Sequence, residues 1–384
     1  MAVLCRNCAG KLLFDPATQK LECSTCGSSF RPEEVEDLNA ELHSKYYDTR
    51  VYTCSHCGAE VITSDTEAST FCVYCGNPAI VFDRISKEYK PDGVLPFQIT
   101  KEEAVGYIRL RFLKNPIVPK EVRDKCTPAN LRGIYVPYWI INADYTEADM
   151  LKGEVKRGKS TVTQFYSRAG EVKLKNIPID GSNILNDDIS RKLEPFYLED
   201  AKEFDEDYLN GFYSNKSDLN YYDLRASAAY RCHILFEDEV VKTVKARNVK
   251  IVDSIYHVDI HDDPVYMMVP VWFFTFKYEG KPYTVLVNGQ TGKVVGTMPW
   301  QKKKVYSIAI TIFVLTLALC AFLYWAMYNR FLGLSSFYGQ GIAGLLTLGS
   351  VLFARGFVGI RRILNNLKLT QSEEIFKYVK KRQG

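Results

Sequence analysis

The chain lacks the signatures of the common catalytic folds: it has no nucleophile elbow, no H-E-x-x-H helix, no dinucleotide fingerprint and no carboxylate pair to which acid and base roles can be given. These absences remove the usual hydrolase, metalloprotease and oxidoreductase readings, and the chain is expected not to be an enzyme. Histidine is scarce, five in 384 residues. Neither Cys126 nor Cys232 has a convincing histidine partner in the sequence, and Cys320 lies in an apolar run, so all three read as packing residues. An N-terminal leader is not expected either, because residues 1–4 are too short for the apolar core of a cleavable signal.

A basic excess is missing where nucleic acid would need it. Residues 1–90 carry 9 Lys/Arg against 13 Asp/Glu and residues 91–300 carry 28 against 30, whereas residues 301–384 carry 12 against 2. Nucleic-acid affinity rests mainly on neutralised phosphates, so a DNA-binding role is disfavoured for the N-terminal part. The alternative, a membrane-tethered nucleic-acid-binding module, would show submicromolar binding with a steep salt slope.

What the chain does have is cysteine in a repeated pattern. Cys5/Cys8 with Cys23/Cys26, and Cys54/Cys57 with Cys72/Cys75, form four Cys-x-x-Cys pairs, and each set leaves fourteen residues between the inner cysteines. Two short knuckles that face each other bring four thiolates to one tetrahedral ion, so the pattern predicts two structural zinc ribbons. Gly27, Gly58 and Gly76 directly follow a second cysteine, where a tight turn tolerates a residue without a Cβ. Four disulfides in a secreted domain are the competing reading, and compartment decides against it. His56 fills a knuckle turn rather than replacing a thiolate.

Long uncharged runs occupy residues 305–328 and 331–354, separated by Asn329 and Arg330. A hydrocarbon core of about 30 Å needs about 20 apolar helical residues, so both are read as spans and the pair as a hairpin. Lys302, Lys303 and Lys304 precede the first; Arg355, Arg361, Arg362 and Lys368 follow the second. This bias places both termini in the cytoplasm of a multi-pass membrane protein, with the basic flanks attracted to anionic lipid. Ser335, Gly339, Ala343 and Thr347 form a small-residue stripe that a neighbouring helix could approach, and a homo-oligomer is one use of it.

Between ribbons and spans the pattern is mixed. Residues 31–50 read as an acidic helical linker. Thr100 and Glu103 form a capping-box pattern, with Ala104, Val105, Ile108 and Phe112 on one face of a helix running to about Lys114. Short β-rich runs follow at 134–141, 160–166, 269–278 and 283–287, the last turning through Asn288-Gly289-Gln290-Thr291-Gly292 into a further strand. Val136-Pro137-Tyr138-Trp139 echoes Val269-Pro270-Val271-Trp272 and suggests two related β modules sharing a core.

Gly153 to Ser160 matches the phosphate-loop pattern literally, but polar residues precede it and a β-branched run follows, so a hairpin tip is expected. His257 and His261 lie about 13 Å apart on a strand and cannot share one ion unaided. The acidic stretch 199–207 reads as a helix surface or loop.

The expected fold class is α+β, with zinc ribbons at 1–30 and 51–82, the linker at 31–50, a β-rich α+β cytoplasmic domain at 92–300, the two spans, and a basic tail at 355–384. The four knuckles, with Leu95-Pro96-Phe97, Val136-Pro137-Tyr138-Trp139, Leu193-Glu194-Pro195-Phe196, residues 208–213 (YLNGFY) and residues 287–293 (VNGQTGK), resemble a family of uncharacterised bacterial proteins. In that family transcription-factor-IIB-type or replication-restart-type zinc ribbons are fused to a membrane domain. The resemblance implies a membrane-associated accessory protein linked to envelope maintenance and to phage-shock-A-type partners, and it implies no catalytic residue. Together these readings predict a non-enzymatic scaffold for protein partners at the inner membrane face.

Overall fold

The computed structural model describes residues 5–8, 10–35, 46–56, 58–63, 72, 74, 80–115, 117–158, 160–182, 185, 187–217, 219 and 221–330, and isolated helical positions between 344 and 359. The architecture is α+β. Strands β1 (Leu12–Asp15), β2 (Lys20–Cys23) and β3 (Ser29–Phe30) form a small antiparallel sheet, followed by the single-turn helix α1 (Pro32–Val35). Among the described residues of the expected linker, the helical ones are those of α1. Residues 36–45 lie outside the described set, and from Tyr46 the chain is strand, as suits the aromatic and β-branched residues Tyr46, Tyr47, Thr49 and Val51.

Strands β4 (Tyr46–Cys54), β5 (Glu60–Thr63) and β6 (Ile80–Tyr89) then join the main sheet. Next come β7 (Gly93–Val94), α2 (Lys101–Ile108), α3 (Lys120–Lys125), β8 (Leu131–Arg157), β9 (Ser160–Asp180), α4 (Asp187–Leu193), β10 (Lys202–Glu203) and β11 (Tyr213–Ser214). The order ends with α5 (Tyr221–Thr243), β12 (Arg247–Tyr278), β13 (Lys281–Asn288), β14 (Val294–Gly296) and α6 (Lys302–Arg330). The sheet runs β10-β7-β12-β8-β11-β5-β4-β6, with β9 on β8, β13 on β12 and β14 on β13. The capping box forms as expected: the Thr100 hydroxyl accepts from Glu103 N–H, and the Glu103 carboxylate accepts from Thr100 N–H at 2.8 Å. The helix continues as a π-turn, Arg109–Leu113, to its cap at Lys114.

The sequence echo marks an internal duplication. β8 and β12 pair antiparallel with Val136 opposite Val269, so the two Val-Pro-x-Trp segments run in opposite directions from a shared centre. Each strand then makes a hairpin with the next, β8 with β9 and β12 with β13. The return strands end alike: Gly181 N–H donates to Pro137 O at 2.8 Å, and Gly289 N–H donates to Pro270 O at 2.8 Å. In both, the next residue's N–H donates to the side chain just before the glycine, Ser182 to Asp180 and Gln290 to Asn288. The leading strands are exchanged. β7 pairs parallel with β12 at Met267 and Met268, and β11 pairs parallel with β8 at Ile134 and Tyr135, so each half lends its first strand to the other half's long strand.

The two faces of this centre are both covered, which is why β12 reads as a continuous apolar run from Val269 to Phe274. One face packs Tyr135, Trp272, Phe274, Val285 and Val287 against Phe97, Phe212 and helix α2. The other packs Val136, Tyr138, Val271, Phe273 and Leu286 against Ile189 and Leu193 of α4. Beyond a register shift between Ile141 and Ala143, the long arm of β8, β9 and β12 packs Tyr145, Leu151 and Val258 under α5, through Ala228, Cys232 and Phe236.

At the C-terminal end, Gln301 N–H donates to Ile117 O at 2.9 Å, and Met298 and Val305 are buried with the α2 side of the sheet. From there α6 leaves the body. Among the described residues one helical stretch, Lys303–Leu323, is long and apolar enough to cross a membrane, with 6% of its apolar window buried. A multi-pass arrangement is not supported by the described residues alone, since most of the expected second span and its tail lie outside them. Of the small-residue stripe only Thr347 is described; its hydroxyl donates to Gly344 O. A Cβ on Gly349 would meet Cys320 Sγ at 3.2 Å, and one on Gly356 would meet Ile312 at 3.6 Å.

Candidate metal centre

Two knuckles place the first four thiols. Cys5 N–H donates to Gly10 O and Cys23 N–H donates to Ser28 O, both at 2.8 Å, so each pair of cysteines is presented from the same kind of six-residue turn. Gly27 closes the second turn at φ 69°, the left-handed region that favours glycine, and its N–H donates to Cys23 O. Gly10 is needed for another reason: a Cβ there would come within 2.5 Å of the Thr25 hydroxyl. Strand β2 delivers Cys23, with Leu21 of the same strand fully buried beneath it.

The Sγ atoms of Cys5, Cys8, Cys23 and Cys26 all lie within 4.8 Å of one another, close enough to hold a metal ion. Cys5 to Cys26 is 3.6 Å and Cys8 to Cys23 is 3.4 Å. A sulfur tetrahedron at metal–sulfur distances of about 2.3 Å has edges of about 3.8 Å, so the cage needs only slight expansion to fit. The same distances are far beyond a disulfide bond of about 2.05 Å, and no disulfide joins any of the described cysteines.

Electrostatics within the cage are uneven. The Ser28 hydroxyl, 3.1 Å from Cys26, and the Ser28 backbone bring the Cys26 thiol down to about 6, whereas sharing its proton with Cys26 pushes the Cys8 thiol up to about 12. Cys23 is lowered, chiefly by the backbone of Cys26. Thr25 N–H also points at Cys23 Sγ at 3.4 Å. Cys26 thus ionises most readily of the four, and a divalent ion would take the remaining protons off.

Of the second set, Cys54 and Cys72 are described and both are buried, while Cys57 and Cys75 lie outside the described residues. The Cys54 turn repeats the Cys23 turn bond for bond: Cys54 N–H donates to Ala59 O at 3.0 Å, and Gly58 N–H donates to Cys54 O at 2.8 Å with Gly58 at φ 71°. His56 sits exposed in this turn. Cys72 and Tyr74 pack on the α4 side of the sheet, with the Tyr74 ring edge-on to Phe273 at 5.7 Å.

Both cysteine segments are built into the body. Leu12, Phe14 and Leu21 share a core with Phe97 and Trp272; Phe14 N–H donates to Asn210 O at 3.1 Å, and its ring lies 5.2 Å from Tyr208. β5 pairs with β11 at Ile62 and Ser214.

The other sequence candidates resolve into structure. The phosphate-loop look-alike is the β8–β9 hairpin tip, with Gly158 at φ 63°. His261 Nε2 lies 2.9 Å from Asp144 of the adjacent strand. The acidic stretch is two 3-10 turns, Leu198–Asp200 and Glu206–Leu209, and it buries Asp207, whose carboxyl is pushed up to about 7, mainly by burial. A group that sequence reasoning missed lies under α5: buried Glu147 takes hydrogen bonds from Tyr145 at 2.8 Å and contacts His233 Nδ1 at 2.7 Å. Beside it buried Asp149 is pushed up to about 6, first by burial and then by its hydrogen bond to, and the charge of, Glu147. Alternation of acidic residues with Tyr145 and Leu151 is the signal that could have found it.

The fold and site define a mixed α+β protein with a four-thiol cluster close enough to hold a metal ion and, among the described residues, one candidate membrane-crossing helix. The chain is similar to the uncharacterized protein YdjG of Bacillus subtilis (strain 168), 29% identical over 321 residues that cover 78% of this chain and 91% of that protein. No family model matches the chain, and no solved structure matches it.

Proposed function

We propose that the chain is a membrane-anchored, non-catalytic scaffold that holds two zinc ribbons and a duplicated sheet body at the inner face of the membrane for protein partners. The observation that carries this reading is the join at Gln301. The metal-binding unit, the sheet and the root of α6 share one packed core, yet α6 then exposes Ile310, Leu315, Phe322 and Trp325, each at least 60% solvent-accessible. A helix so apolar and so little covered by its own protein is suited to lipid.

Zinc is the ion of choice for the cage, because a tetrahedral four-sulfur donor set without a cluster-binding spacing is the usual structural zinc site. The repeated turn at Cys54 supports a second ion, held by Cys54, Cys57, Cys72 and Cys75. The hairpin reading is supported by Gly349 opposite Cys320 and Gly356 opposite Ile312, seven residues further on one helix and eight back on the other, the spacing of two antiparallel helices in close approach. With Lys302–Lys304 at one end and Arg355 at the other, both ends belong on the cytoplasmic side, where thiolates also persist.

Affinity capture in mild detergent tests the scaffold. Defined protein partners should be recovered with the full chain and lost with Cys54→Ser/Cys57→Ser; recovery of none, or of the same set with the variant, would contradict it.

A further inference from the structure

A cleft of about 620 Å³ lies between α2 with its π-turn on one side and α4 and the β13–β14 turn on the other. Its walls are Tyr107, Leu110, Val294 and Val295, and its polar lining is Arg111, Lys192 and Lys293. No acidic residue lines it. Glu194, the nearest carboxylate in sequence, is turned to Arg231 at 2.5 Å, while the Lys293 ammonium donates to the Glu194 carbonyl oxygen and lies near enough to favour its ionised carboxylate. Leu110 is 59% exposed and Tyr107 38%, so the cleft presents apolar side chains at its opening.

The cleft is also shaped by a fixed contact. Gly292 stands at φ 72°, and a Cβ there would come 2.6 Å from the Tyr107 ring, so the turn and the helix meet without a side chain between them and leave the space above open. Both walls lead to the root of α6. The π-turn runs on to Ile117, whose carbonyl accepts from Gln301, and β14 ends at Gly296, six residues before Lys302. At no more than about 3.6 Å per residue, Val295 on the β13–β14 wall lies within about 25 Å of the first residue of α6.

We infer that this cleft binds an anionic phospholipid, its phosphate held by Arg111, Lys192 and Lys293 and an acyl chain laid along Leu110, Tyr107 and Val294. An apolar trough of this size with a few convergent polar groups is the form ligand sites take, cations beside a bilayer favour anionic headgroups, and one wall, the β13–β14 turn, is followed within a few residues by α6, the candidate membrane-crossing helix. The inference rests on the proposed anchoring.

The test uses the full chain in maltoside micelles, titrated with fluorescent phosphatidylglycerol and, separately, phosphatidylcholine of the same acyl length. Saturable binding of phosphatidylglycerol, about tenfold weaker in Arg111→Gln/Lys293→Gln and also weakened in Leu110→Ser, is expected, with metal content unchanged as the check on folding. Equal binding of phosphatidylcholine, unaltered binding in the variants, or displacement by glycerol phosphate as effectively as by unlabelled lipid would each overturn it. Alkaline extraction of cell membranes separates the two readings: a chain that is extracted contradicts anchoring, whereas a retained chain that fails to discriminate the lipids contradicts the cleft alone.

Discussion

Gly292 shows how much a single position can carry. A side chain there would be strained at φ 72° and would also strike the Tyr107 ring, so Gly292→Ala should cost about 1 to 3 kcal/mol and lower the unfolding midpoint in urea. Trp272 is the corresponding core position, fully buried with Phe97 4.7 Å away and its indole N–H donated to Ile99 O; Trp272→Ala should cost about 3 to 5 kcal/mol. Asp149 gives a pH signature. Its native carboxyl holds its proton up to about pH 6, whereas the unfolded carboxyl releases it near 3.8. Between those values the native state binds more protons, so stability falls as pH rises through that window. Thermal melts from pH 4 to 7 should show this decline in the parent chain and a flatter profile in Asp149→Asn; a decline of equal slope in both would remove Asp149 as its source.

At the scale of elements, the parts legible in the sequence were those whose signal is local. The α2 start could be read because a Thr and a Glu three residues apart satisfy each other's backbone N–H groups. The β13–β14 turn could be read because one of its glycines, Gly292 at φ 72°, takes a conformation other residues avoid. The Val-Pro-x-Trp echo was visible, but its meaning needed the register, since only pairing reveals Val136 opposite Val269 and the exchange of β7 and β11. The β8 arm over residues 144–152 is polar in sequence and was not legible as a strand, because its buried face carries Glu147 and Asp149 beside Tyr145 and Leu151, against the usual inward-apolar pattern. Placing Gly153 to Ser160 at a hairpin tip leaves no helix N-terminus to receive a phosphate. Titrating ATP into the protein should therefore release no binding heat, and micromolar binding lost in Lys159→Ala would contradict this.

The whole molecule is more continuous than a string of ribbons, domain and anchor. In the metal site the four cysteines were legible by spacing alone, since Cys-x-x-Cys turns fix their own geometry. What the spacing could not convey is that Leu12, Phe14 and Leu21 complete the same core as Trp272. Metal binding that supplies about 10 to 16 kcal/mol of folding energy to a small structural site is then felt by the body as well. A strong chelator should lower the melting temperature followed by tryptophan fluorescence, and a transition confined to residues 1–35 in hydrogen exchange would show the unit to be independent. The central claim is a metal-clamped thiol unit fixed to a membrane-held body, and the zinc-to-protein ratio of the full chain purified from alkaline-washed membranes tests it most directly. The account predicts a chain retained in those membranes with two zinc ions per molecule, falling to one in Cys5→Ser/Cys8→Ser; a chain found in the wash, or one that carries no zinc, would contradict it.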